Sequence, residues 1–130
     1  MEDSDDEIKK LYAEAIISYY EHPHNKRKLE SADAEFKESN PVCGDVLTVY
    51  IKVKDKKIED ISFEGQGCAI SIGSASIFTD FAKGKDIELI RKFSVKELID
   101  LIKIDPGPVR LNCATLILRA TQKALSKYKG

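Results

Sequence analysis

The chain has 130 residues, the size of one ordinary domain, long enough to bury a core and too short for two. Hydrophobic residues make up 42% and charged residues 33%, a balance that excludes disordered and fibrous classes. Lys plus Arg number 21 against 22 Asp plus Glu, so the net charge of -1 gives no electrostatic reason to expect nucleic acid or an acidic membrane as a partner.

In chain order, Met1 to Asp6 is acidic, the wrong sign for a targeting segment, and no apolar run approaches the roughly 20 residues needed to cross a bilayer. The cytoplasm is the expected location. Ile8, Leu11, Tyr12, Ala15, Ile16, Tyr19 and Tyr20 follow the three-and-four spacing of a helix that buries one face and ends at His22-Pro23. A short strand between Ala32 and Glu38 has only Ala34 and Phe36 as apolar content. Leu47, Val49, Ile51 and Val53 alternate along a strand from Val46 to Lys54, and a second runs from Ile58 to Glu64 after Asp55-Lys56-Lys57, the pattern of a hairpin.

Past Gly65-Gln66-Gly67 the period becomes helical, with Ile70, Ile77, Phe78 and Phe81 on one side and Gly84 as the stop. Asp86 to Arg91 suits a short helical turn. Ser94 and Glu97 form a capping box ahead of Leu98, Ile99, Leu101 and Ile102. Asp105-Pro106-Gly107-Pro108 breaks the chain, and a last helix is expected from Arg110 to Tyr128, with Ile117, Ala120, Ala124 and Tyr128 on the face of Cys113.

Three widely spaced cysteines do not make a disulfide framework and leave metal binding or thiol chemistry, with burial as core fillers the bland alternative. Each lies at a junction: Cys43 before the first long strand, Cys68 before a helix, and Cys113 at the expected start of the last one. Gly44, Gly65 and Gly67 would let a bulky inorganic ligand approach. A helix amino terminus favours a thiolate, which applies on this reading to Cys68 and Cys113. Asp45 stands two residues after Cys43, on the same side of an extended chain, and is either a fourth ligand or a turn residue. One carboxylate among three sulfurs is a hard donor and would hold a soft cluster less firmly than four cysteines. His22 and His24 read as solvated loop residues rather than ligands.

These residues resemble the iron-sulfur cluster assembly scaffolds of the IscU, SufU and NifU amino-terminal type over nearly the whole chain. The likeness rests on YYEHPHN ending at Asn25, NPVCGD at 40 to 45, FEGQGCAISIGSAS at 63 to 76 and PVRLNCATL at 108 to 116. It implies an α+β fold, in which a small antiparallel three-stranded sheet packs against an amino-terminal helix and several carboxy-terminal helices. It also implies a site of Cys43, Asp45, Cys68 and Cys113 that holds a [2Fe-2S] cluster.

Such a protein takes sulfur from a cysteine desulfurase, with Cys43 or Cys113 as the acceptor, and passes the cluster to apo-proteins. It is a scaffold rather than a catalyst, and the cluster is held by one chain or shared within a homo-oligomer. Asn112 replaces the histidine that precedes the third cysteine in the IscU branch, which favours Asp45 as the fourth donor and resembles SufU. The 44 residues between Cys68 and Cys113 are as compact as in IscU. The alternative is a zinc-bound sulfur shuttle, with a structural zinc domain and a cysteine-nucleophile enzyme behind it.

Overall fold

The computed structural model describes residues 14–42 and 44–128. Residues 14–21 are helical (α1), and the His22 N–H still bonds the Ser18 carbonyl at 2.8 Å as the chain leaves the helix. The expected face at Ile8, Leu11 and Tyr12 lies outside the described residues. Of the remainder, Ile16 alone is fully buried; Tyr19 is half-buried, and Ile17 and Tyr20 are exposed.

Three antiparallel strands follow in the order β1 (Ala34–Asn40), β2 (Asp45–Lys54) and β3 (Lys57–Gln66). Asp55 and Lys56 both take positive φ (54° and 65°), the backbone of a two-residue hairpin turn whose twist matches the strands, so Lys57 belongs to β3 rather than to the turn. Register places Phe36 opposite Val49 and Val49 opposite Phe63, giving one apolar face of Leu47, Val49, Ile51, Ile61 and Phe63, all at 0% exposure.

β1 is two residues longer at its end than its apolar content suggests, because its inward positions are not all apolar. Glu38 faces inward and pairs with Lys123, and the ammonium groups of Lys123 and Lys127 lie 5.6 and 4.7 Å from the centre of the Phe36 ring. Burial pushes the Glu38 carboxyl up, but the hydrogen bond and charge of Lys123, with the Ser39 N–H, hold it below the usual carboxylate range.

The second half is helical: α2 (Ala69–Ala82), α3 (Ile87–Arg91), α4 (Val95–Ile102), α5 (Gly107–Ala114) and α6 (Leu116–Lys127). The capping box at Ser94 and Glu97 forms as expected. The helix expected from Arg110 to Tyr128 is two helices. The first begins at Gly107, where the Asp105 carboxylate accepts the Gly107 N–H at 2.9 Å and Pro108 fits the first turn, which needs no N–H from it. The second begins after Thr115, whose backbone (φ -89°, ψ -2°) is at the edge of helical geometry and whose hydroxyl bonds back to the Leu111 carbonyl.

α6 lies on β1 and β2, and α2 packs against β3, α4, α5 and α6. α2 is therefore buried on several sides, and its buried residues are mostly small: Ser71, Gly73, Ser74, Ala75, Ser76, Thr79 and Ala82 beside Ile72 and Phe78. Of the face expected from the sequence, Phe78 is fully buried, and Ile70, Ile77 and Phe81 are partly buried against the core. Ser76 and Thr79 donate their hydroxyl protons to carbonyls four residues back, at 3.0 and 2.7 Å, and so are satisfied inside the helix layer.

α1 crosses α2 at Gly73, where an added Cβ would stand 2.8 Å from the Ile16 carbonyl oxygen. In an open helix Gly→Ala gains about 1 kcal/mol of propensity, whereas overpacking costs about 1–3 kcal/mol. Gly73→Ala is therefore expected to lower the melting temperature by a few degrees and to make α1 more susceptible to protease; a raised melting temperature would mean that α1 does not sit on Gly73.

Candidate metal centre

Two turns of the chain and one strand pair bring the site together. β1 and β2 close on the pair Asn40 and Asp45, with residues 41–44 joining them and the Gly44 N–H on the Asn40 carbonyl at 2.8 Å. The inward alternation of β2 sends the Asp45 side chain to the same face as Leu47, so the carboxylate is buried, at 4% exposure. β3 ends at Gln66, and Cys68 is the N-cap residue of α2. Cys113 is buried in the last turn of α5.

Asp45, Cys68 and Cys113 each offer a ligand atom, all within 4.8 Å of one another. Cys68 Sγ is 3.7 Å from Asp45 Oδ2. A tetrahedral ion with bonds of about 2.3 Å to sulfur and about 2.1 Å to oxygen has an S···O edge of about 3.6 Å, so this pair already spans one edge of such a site. The donor set, two sulfurs and a carboxylate, suits zinc or iron. Cys43, the remaining ligand expected from the sequence, lies outside the described residues.

Cys68 sits where the sequence led one to expect, at a helix amino terminus. Burial pushes its thiol up, but the backbone N–H of Ser71, with the nearby Ser71 hydroxyl and the Cys113 thiol, brings it below the ordinary range in spite of the Asp45 charge. Cys113 does not: α5 already begins at Gly107 and ends one residue after Cys113, so the amino-terminal dipole argument fails for it.

Two residues at the centre carry no signal as ligands. Asn40, 4% exposed, points its Nδ2 at Cys113 Sγ from 3.6 Å. Ser71, fully buried in the first turn of α2, donates to Asp45 Oδ2 at 2.5 Å and lies 3.6 Å from Cys68 Sγ. Gly67 makes room for this contact, since a Cβ there would meet Ser71 Cβ at 3.0 Å and Asp45 Cγ at 3.2 Å. Asn40 opens the NPVCGD run and could have been noticed beside its cysteine, whereas Ser71 is one of three serines in a small-residue helix.

The histidines stand apart from this centre. His22 and His24 are exposed, as expected, but the His24 ring nitrogen lies 2.6 Å from the Asp80 carboxylate and the ring meets Tyr19 edge-on, while Asn25 bonds Thr79 and Asp80, so the HPHN run fastens its loop to α2. Among the described residues no histidine joins the Asp45 group, which leaves a cysteine nucleophile without an imidazole base. Among them, too, no helix is long and apolar enough to cross a membrane. Close in sequence to the site residues, Val42 is 85% and Val109 76% exposed, and Leu111 is also exposed, with Arg110 and Asn112 exposed between them.

Comparison with known proteins gives the same picture. The family model for the NifU-like N terminal domain matches residues 11–130. The iron-sulfur cluster assembly scaffold protein IscU 1 of Archaeoglobus fulgidus is 37% identical over 118 residues, covering 91% of this chain and 76% of that one. The zinc-dependent sulfurtransferase SufU of Bacillus subtilis is 36% identical, covering 92% of each chain. A crystal structure of the amino-terminal part of a NifU-like protein from Brucella abortus superposes with a TM-score of 0.73, covering 86% of this chain and 90% of that one, and at 17% identity it speaks for the fold alone. On the matched span, the two relatives and the three-stranded sheet with its helices, this chain belongs to the family of NifU-like amino-terminal domains.

Proposed function

We propose that this protein is a scaffold on which a [2Fe-2S] cluster is built and from which it is handed to apo-proteins, with Cys43, Asp45, Cys68 and Cys113 as the ligands. The observation that carries the reading is the convergence of Asp45, Cys68 and Cys113 from a strand end and two helix ends onto one point. A relative 37% identical is named as such a scaffold. The cluster is cargo here. Sulfur ligands suit its iron, and the single oxygen donor, harder and more readily exchanged, leaves a route for release.

Sulfur would arrive from a cysteine desulfurase as a persulfide. A scaffold thiolate attacks the outer sulfur, a new S–S bond forms on the scaffold, and the desulfurase cysteine leaves as its thiolate. Cys43 and Cys113 are the acceptors proposed. Val42, Val109 and Leu111 offer apolar surface for the donor and acceptor proteins to cover while the cargo passes. Thiols kept as ligands rather than disulfides suit a reducing compartment, and the cytoplasm is the proposed location.

A second reading has support of its own. The relative named a zinc-dependent sulfurtransferase is as similar as the named scaffold, and the site here contains Asp45 and no histidine among the described residues. In that reading zinc takes the same four ligands, and one cysteine leaves the metal to accept sulfur.

Cys68→Ser is expected to lose its iron and acid-labile sulfide on desalting after anaerobic reconstitution, while the unaltered protein keeps both; stoichiometric retention by the variant would remove Cys68 from the ligand set. Asp45→Ala is expected to fold normally and to transfer a bound cluster to apo-ferredoxin several-fold more slowly, because the exchangeable oxygen donor is gone. Transfer at the original rate or faster would deny Asp45 that role.

A further inference from the structure

We propose that Ser71 is a positioning residue for this centre, its hydroxyl holding the Asp45 carboxylate in the orientation from which it meets a metal ion together with Cys68. The inference rests on Asp45 and Cys68 acting as ligands. Its own basis is the direction in which the Ser71 hydroxyl is used. Ser76 and Thr79, further along α2, give their protons to the helix carbonyls of Ile72 and Ala75 and accept from the His24 N–H and the Asn25 amide. Ser71 instead reaches out of its helix to the end of β2.

A hydroxyl has one proton to give. Asp45 Oδ2 at 2.5 Å takes it in preference to Cys68 Sγ at 3.6 Å. The other donor to this carboxylate among the described residues is the Cys68 thiol, at 3.7 Å, and that proton is lost when the sulfur binds a metal. Ser71 then remains to orient the carboxylate. The cradle is closely built, since Ser71 is fully buried and the absence of a side chain at Gly67 leaves the space in which Ser71 and Asp45 meet. Outer groups that fix a ligating carboxylate are typically worth about 10- to 100-fold in metal affinity.

The test uses the full-length apo-protein and cobalt(II), whose visible d–d and thiolate charge-transfer bands report both affinity and ligand geometry. Ser71→Ala improves helix propensity and loses only the bond described, so circular dichroism should show the fold intact. Its cobalt affinity is expected to fall by about 10-fold or more, with shifted d–d bands, and Ser71→Thr, which restores a hydroxyl, is expected to recover part of the loss. In an Asp45→Ala background the Ser71→Ala change should have no further effect, because the two act as one unit.

Wild-type affinity in Ser71→Ala beside weakened Asp45→Ala would overturn the role of Ser71 and leave the ligand set standing. An equal loss from Ser71→Ala with and without Asp45 would overturn it too, because Ser71 would then act through some other group. Wild-type affinity in Asp45→Ala would remove the ligand reading itself, and the inference with it.

Discussion

Burial of α2 on several sides is the constraint from which the rest of the molecule follows. Four neighbouring elements and α1 press on it, so it carries serine, alanine, threonine and glycine where a peripheral helix would carry leucine. Small residues let backbones approach, as where Gly73 meets Ile16, and this close seating fixes the position of the amino terminus of α2. Cys68 is carried by that terminus. The sheet, tied to α2 through β3, delivers Asp45 from the adjacent strand, so the separation of thiol and carboxylate is set by core packing and not by the loop between them.

A buried carboxylate is costly unless its oxygens are met by donors. At this site the donors are the Ser71 hydroxyl and the Cys68 thiol, which makes the buried carboxylate tolerable. The first turn of α2 also bears on the Cys68 thiol, which the Ser71 N–H helps to hold below the ordinary range despite its burial and an acidic neighbour. Cys113 joins the group with the Asn40 amide against its sulfur. The site is assembled from a strand end and two helix ends, so its geometry is set by the packing of those elements.

Much of this was legible in the sequence, for physical reasons that differ by element. The β2–β3 hairpin shows because Leu47, Val49, Ile51 and Val53 alternate along β2 and its turn is polar; α4 shows because Ser94 and Glu97 announce its start. β1 is nearly silent, since Glu38 and Asn40 take inward positions that pairing with Lys123 and Cys113 makes acceptable only in the folded protein. The division between α5 and α6 is hidden because Thr115 is an ordinary helical residue in any local window; the division shows only in its backbone angles, at the edge of helical geometry. Asp45, Cys68 and Cys113 were named from their motifs, and their meeting could not be seen without the fold. Ser71 was missed because a serine among small residues reads as packing.

The central claim, that this centre exists to carry an iron-sulfur cluster, is tested most directly by iron, zinc and acid-labile sulfide analysis with a visible absorption spectrum, on protein purified without oxygen and before any reconstitution. The account predicts iron and sulfide in equal amounts with a sulfur-to-iron charge-transfer band. Stoichiometric zinc with no sulfide would contradict it and make the protein a zinc-bound carrier of sulfur.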